Sequence, residues 1–168
     1  MMKPFLDFLG RLCLLISSVC LVAMTAIISY QVIARYFFNN SPAWSERLAL
    51  VLLGYLVFFG AALGVHERFH IRIDALRDVF PKSIRKSIDI FANLAVAIAG
   101  LVMVVAGWTL TTTLWPFDIP SLGIPRGLAL LPLPIAGGLI SLFALAQLYE
   151  DAVSKQSVQQ TGQAGKVE

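Results

Sequence analysis

Charged residues along the chain gather into clusters, and the clusters frame four long stretches without formal charge. Arg11 and Arg35 enclose 23 such residues, Arg47 and Glu67 enclose 19, Asp89 and Asp118 enclose 28, and Arg126 and Glu150 enclose 23. A helix needs about 20 apolar residues to cross the hydrocarbon core of a bilayer. None of the four shows the polar face of a soluble amphipathic helix. The pattern predicts an all-α integral membrane protein with spans at about 12–34, 46–66, 88–114 and 127–149. They form one membrane domain over 1–152, followed by a flexible polar tail at 153–168. The first stretch is read as a retained span: its apolar run continues to Ala34, longer than a leader core, and no small-residue cleavage site ends it.

Composition agrees. Hydrophobic residues make up 58% of the 168 and charged residues 14%, against about 25% charged in soluble domains. A soluble core of this size could not bury so much apolar surface. That excludes a soluble enzyme, a nucleic-acid binder and a disordered chain.

Lysine and arginine set the orientation. Lys3, Arg11, Arg68, Arg72, Arg77, Lys82, Arg85, Lys86, Lys155 and Lys166 fall on one side of the four spans, and only Arg35, Arg47 and Arg126 on the other. Both termini and the middle segment are therefore expected in the cytoplasm. The net charge of +3 reflects that segment and calls for no nucleic acid. Tyr36, Trp44, Trp115, Phe117 and Tyr149 lie near span ends, where aromatic rings favour the headgroup level.

The connections carry their own signals. Asn39-Asn40-Ser41-Pro42 is a turn, with Ser41 placed to cap the second helix and Pro42 at its first position. Trp44, Ser45, Glu46 and Arg47 then form a first turn in which Glu46 suits the positive helix end. Between spans two and three, Ile71, Ile73, Leu76, Val79 and Phe80 are interleaved with charges. This predicts an amphipathic piece on the inner membrane surface, with His70, Arg72, Asp74, Arg77, Arg85 and Lys86 at the headgroups. Pro116, Pro120, Gly123 and Pro125 predict an ordered outer turn, and Pro132 and Pro134 a bend in the last span.

Small residues suggest close helix packing: Gly60 and Gly64 in span two, and Ala92, Ala95 and Ala99 in span three. Cys13 and Cys20 lie on one face of the first helix, where packing is the plain expectation. The threonines at 109 and 111–113 are expected to bond back to their own helix.

One motif carries possible chemistry. His66-Glu67-Arg68-Phe69-His70 is a literal H-E-x-x-H, which on a helix sets two histidines on one face for zinc with a glutamate as base. No third ligand stands out, Arg68 brings a fixed positive charge to the spot, and the motif ends a span. These are the only two histidines, and adjacent turns of one helix cannot hold a haem between them. The spans lack the ionisable residue that a coupled carrier usually keeps in the bilayer. The residues leave a small four-helix subunit as the main expectation, with a membrane zinc metallopeptidase or an autonomous homo-oligomeric exporter as alternatives.

A succession of short motifs narrows this. Gln31-Val32-Ile33-Ala34-Arg35-Tyr36-Phe37-Phe38-Asn39, Trp44-Ser45-Glu46, Gly60-Ala61-Ala62-Leu63, His70-Ile71-Arg72-Ile73-Asp74, Leu122-Gly123-Ile124-Pro125 and Leu131-Pro132-Leu133-Pro134 occur in order. Over roughly residues 10–150 the chain resembles the small membrane subunit of tripartite ATP-independent periplasmic (TRAP) transporters, the DctQ-like family. The resemblance implies a non-catalytic, multi-pass subunit of the bacterial inner membrane with both termini inside. It implies a large many-span partner subunit holding the substrate and sodium sites, so that this chain needs no cofactor of its own. It also implies a periplasmic substrate-binding protein that delivers an organic acid, of the dicarboxylate or sialic-acid class. The small subunit would brace the large one, with Trp44, Ser45, Glu46, Arg47, Gly60 and Gly64 as candidate interface residues. The chain departs from the family where a second glutamate often follows Trp-Ser-Glu: Arg47 stands there, and Leu50 stands at the later arginine.

The charge asymmetry makes a direct prediction. A cysteine at Arg77 resists a membrane-impermeant thiol reagent in intact cells, and one at Ser121 reacts. Reverse labelling would refute the orientation.

Overall fold

The computed structural model describes the backbone of residues 2–37, 39, 42–75 and 82–164, and side chains over 4–37, 39, 42–67 and 90–148. Five helices follow one another: α1 (Met2–Phe37), α2 (Ala43–Ala75), α3 (Lys82–Leu114), α4 (Arg126–Leu130) and α5 (Pro132–Ala164). Four segments are long and apolar enough to cross a membrane: Pro4–Phe37, Ala43–Glu67, Ile90–Leu114 and Arg126–Leu148. The last joins α4 and α5. The chain is thus a multi-pass membrane protein, all-helical among the described residues.

The helices run past the expected spans. α1 begins at Met2, because Phe5, Leu6, Phe8 and Leu9 extend the apolar pattern and Pro4 is tolerated in a first turn. Its 36 residues cover about 54 Å at 1.5 Å per residue, well over the ~30 Å hydrocarbon core, so it tilts or projects. α5 continues to Ala164, through the stretch expected to be a polar tail. No glycine or proline interrupts it between Gly138 and Thr161. Of the expected surface segment, the backbone is helical to Ala75 and again from Lys82. Residues 76–81, and the side chains of His70, Arg72, Asp74, Arg77, Arg85 and Lys86, lie outside the described residues.

Packing orders the long helices as α1–α2–α5–α3, with α4 against α3 and α2. α1 and α3 are the edges of this row. α5 is its centre, with 44% of its span buried against 17% for each other span. The core cluster of Cys13, Phe59, Ala62, Ala136, Ile140 and Phe143 draws on α1, α2 and α5.

Small residues set the seams. On α1 the buried and half-buried positions include Leu6, Gly10, Cys13, Ser17, Cys20, Met24, Ile27, Gln31 and Ala34, an alternation of four and three that matches the heptad seam of a coiled coil. Cys13 and Cys20 are packing residues within it, both buried and free. The same alternation recurs on α3 (Ala97, Gly100, Val104, Gly107, Thr111) and α5 (Pro134, Gly137, Ser141, Ala144, Leu148). Here the main chains nearly touch. A Cβ on Gly100 would lie 2.8 Å from the Gly137 carbonyl oxygen, and one on Gly137 would lie 2.8 Å from the Gly100 carbonyl oxygen. Ser141 Oγ sits 3.0 Å from its own-helix carbonyl at Gly137 and 3.2 Å from the Ala97 carbonyl across the seam.

The expected small-residue faces lie elsewhere. Ala95 and Ala99 are exposed, two positions before the buried Ala97 and one before the buried Gly100. A Cβ at Gly60 would make only ordinary contact with Ser17 Oγ at 3.9 Å, and one at Gly64 would meet nothing within 4 Å. Gly60 and Gly64 are therefore not a tight internal crossing.

The last span breaks at its two prolines, as its sequence predicts. Pro132 has no N–H to give the Leu128 carbonyl. The Tyr55 hydroxyl of α2 donates to that carbonyl at 2.8 Å, which supplies the lost partner and ties α2 to α4.

These contacts separate two glycine substitutions. Gly100→Ala forces a methyl against the α5 backbone and should cost about 1–3 kcal/mol, as overpacking does. Gly64→Ala meets no atom and should be neutral or stabilising by up to ~1 kcal/mol, since alanine favours helix. Unfolding in SDS-containing mixed micelles checks both. Equal losses at the two sites would contradict the seam assignment.

Candidate partner interface

The turn into α2 shows how the interface residues are held. α2 starts at Ala43, not at Pro42, and Ser41 lies outside the described residues. The cap comes from within: the Pro42 carbonyl accepts from the Ser45 N–H at 3.2 Å and from Ser45 Oγ at 2.7 Å. Ser45 is fully buried, so its role is structural. Trp44 stacks on Tyr30 of α1, with ring centroids 6.3 Å apart and planes 28° apart. Glu46 and Arg47 are exposed. The four neighbours thus divide into two that fasten α2 to its surroundings and two that project outward.

The connection between α3 and α4 is an ordered hairpin. Asp118 and Pro125 form an antiparallel bridge. The Ile119 N–H donates to the Ile124 carbonyl at 2.8 Å and the Arg126 N–H to the Phe117 carbonyl at 2.7 Å. Its tip needs two left-handed residues, Ser121 at φ 75° and Gly123 at φ 64°. Glycine takes that conformation without strain, whereas Ser121 is held in it by the hairpin. Trp115 and Phe117 stand exposed at its base. With Trp44, Glu46 and Arg47 they make one end of the bundle aromatic and charged.

At the opposite end His66 is engaged in packing. Its ring lies 4.8 Å from that of Phe143 and rests on Gly10, where a Cβ would come within 2.6 Å of His66 Cδ2. Its Nε2 is 3.5 Å from Asp7 Oδ1. Beside it, the Gln147 side chain donates to the Val65 carbonyl at 2.9 Å. Glu67 is exposed, and the His70 side chain lies outside the described residues. Among the described residues no three histidine, cysteine, aspartate or glutamate side chains gather as a metal group would. The geometry gives His66 a place joining α1, α2 and α5, and does not favour the zinc reading.

Three of the four α3 threonines bond back to their own helix as expected, whereas the hydroxyl of Thr111 is buried with no hydrogen-bond partner among the described residues. Thr109, Thr112 and Thr113 donate to carbonyls three or four residues back. Two residues that sequence reasoning passed over matter more: Tyr55 and Gln147, each crossing to another helix. Their signal was present, because an isolated polar side chain in an apolar span requires a partner.

With this geometry in hand, comparison with known proteins is informative. Residues 24–154 match the family model for the DctQ component of tripartite ATP-independent periplasmic transporters. A Haemophilus influenzae protein assigned as a TRAP transporter small permease is 25% identical over 143 residues, covering 83% of this chain and 87% of that one. The sialic acid TRAP transporter small permease protein SiaQ of Vibrio cholerae is 26% identical over 117 residues, covering 70% and 68%. The sialic acid TRAP transporter permease protein SiaT of Haemophilus influenzae is 33% identical over 75 residues, which are 45% of this chain and 12% of SiaT.

The split between inward and outward residues is testable. Ser45→Ala should cost the chain about 1 kcal/mol, the usual worth of a hydrogen bond, measured by thermal unfolding in detergent. Glu46→Ala should leave that stability unchanged and reduce recovery of the permease partner in pull-down. Unchanged recovery would leave Glu46 with only a helix-start role.

The chain belongs to the DctQ component family of tripartite ATP-independent periplasmic transporters.

Proposed function

We propose that the chain is the non-catalytic small membrane subunit of a TRAP-type, sodium-coupled secondary transporter for organic acids, and that it braces a large permease subunit. The observation that carries this is the match to SiaT. A stretch similar to nearly half of this chain is built into a permease polypeptide of which it is only 12%. A segment that occurs covalently within a permease in one protein is well suited to bind a permease when separate.

The residues support a bracing role. Each span holds a run of 19 to 28 residues without formal charge, whereas ion-coupled carriers keep ionisable groups in the bilayer. The space among α1, α2 and α5 is filled by Phe59, Phe143, Ile140 and Cys13. The edge helices present broad apolar flanks, such as Val22 on α1 and Val105 on α3, both 69% exposed. A partner that rocks or slides needs one part held still in the membrane.

Under this reading the partner holds the sodium and substrate sites and the chain carries no cofactor. The membrane is the bacterial inner membrane, with both termini and the middle segment in the cytoplasm. Glu46, Arg47 and the hairpin then face the periplasm, where the substrate-binding protein docks. The likeness to SiaQ and to the C4-dicarboxylate TRAP transporter small permease protein DctQ of Vibrio cholerae supports a substrate of the dicarboxylate or sialic-acid class.

Reconstitution tests the division of labour. Liposomes with this subunit alone should take up no organic acid under a sodium gradient. Adding the large subunit and binding protein should establish uptake, and omitting only the small subunit should abolish it. Uptake by the lone chain at a rate near that of the full assembly would refute the brace and favour an autonomous carrier.

A further inference from the structure

α5 is covered on most of its circumference, and its exposed strip is narrow. Ile135, Leu142 and Leu145 lie on that strip, with the half-buried Gly138 between them. Along it runs a groove of about 620 Å³, floored by Gly138, Ser141, Leu142, Leu145 and Ala146. Leu101 and Val104 of α3 form one wall, and Phe5 and Leu6 of α1 the other. The lining is apolar. Ser141 Oγ, the polar atom on the floor, sits against the Gly137 and Ala97 carbonyls and is not free for a ligand.

Position and size select the occupant. From Gly138 to Ala146 the floor covers about 12 Å at 1.5 Å per residue. It runs from the middle of the α5 span toward the end where the chain termini lie, matching one leaflet of a ~30 Å hydrocarbon core. A transmembrane helix is about 10–12 Å across. It would continue into the other leaflet, beyond the groove. An acyl chain is narrower and ends at mid-bilayer. Left empty, the groove would forfeit dispersion contacts along its whole lining, and its apolar surface does not hold water. Charge selects the headgroup. Lys3 and Arg11 stand against Asp7, and Lys82, Arg85 and Lys86 against Asp89, so the sequence leading into each wall carries a net positive charge. Such charge attracts anionic lipid.

We propose that this groove is a phospholipid site that holds one acyl chain of an anionic phospholipid from the leaflet on the side of the termini. The site rests on the membrane-spanning fold and not on the transport role, so its test reads lipid and not uptake.

The full-length chain, purified in mild detergent and offered phosphatidylglycerol and phosphatidylethanolamine equally, should retain one phospholipid per chain by native mass spectrometry, with phosphatidylglycerol preferred. Gly138→Phe fills the floor from a position whose Cβ meets only Val104 Cγ2, at 3.9 Å, and should lower retention at least tenfold. A second measurement needs no variant. In nanodiscs containing phosphatidylglycerol with a mid-chain diazirine, label should concentrate on peptides spanning 101–104 and 138–146, above the lipid-facing 19–22 stretch of α1. Absence of a retained lipid in the wild type, equal retention by Gly138→Phe, or uniform labelling would each overturn the proposal. So would a Gly138→Phe chain that keeps its lipid but no longer binds the permease, because the groove would then be a protein contact.

Discussion

The close approach of main chain to main chain between α3 and α5 is the contact on which the rest of the bundle depends. In a bilayer, apolar side chains gain little by leaving lipid for each other, so helices associate through close packing and a few internal hydrogen bonds. Gly100 and Gly137 supply the packing by presenting bare backbone to each other, and Ser141 lies against the Ala97 carbonyl across the same seam. With α5 held there, the neighbouring face of the same helix carries Ala136, Ile140 and Phe143 into the core shared with α2 and α1. α1 then lies along α2 through its own stripe of small residues.

The break in the last span works within this frame. Two prolines deprive helical carbonyls of their donors, a costly arrangement in lipid. Tyr55 returns one donor from a neighbouring helix. The bend therefore adds a cross-link between α2 and α4 where a loose joint would otherwise be expected. With His66 wedged among Asp7, Gly10 and Phe143 at the other end, the row is tied at both membrane faces. That rigidity suits a part that stays fixed while its partner moves.

Much of the architecture was legible in the sequence, because span length and charge-free runs are dictated by the bilayer itself. The four spans, the ordered outer turn and the bend at Pro132 follow from hydropathy and from proline's missing donor. The seams were harder. Ala95 and Ala99 looked like a packing face, yet Ala97 and Gly100 are buried, because several small-residue stripes coexist on α3 and only contact with α5 decides among them. Gly60 and Gly64 have the spacing of a close crossing without a helix placed against them. Trp44 to Arg47 read as one motif, but Ser45 turns inward to the Pro42 carbonyl while Glu46 and Arg47 face out. A linear pattern does not separate these roles. His66 was legible as half of a metal motif, and its actual neighbours come from α1 and α5, far away in sequence.

The central claim is that this subunit keeps its shape while the assembly works. The most direct test is the distance between spin labels at Val22 and Val105, on the exposed flanks of the two edge helices, in the assembled transporter. Pulsed electron paramagnetic resonance should give one unchanged distance distribution with and without sodium, substrate and binding protein. A shift of several ångströms between those conditions would contradict the account, because the subunit would then take part in the motion it is held to brace.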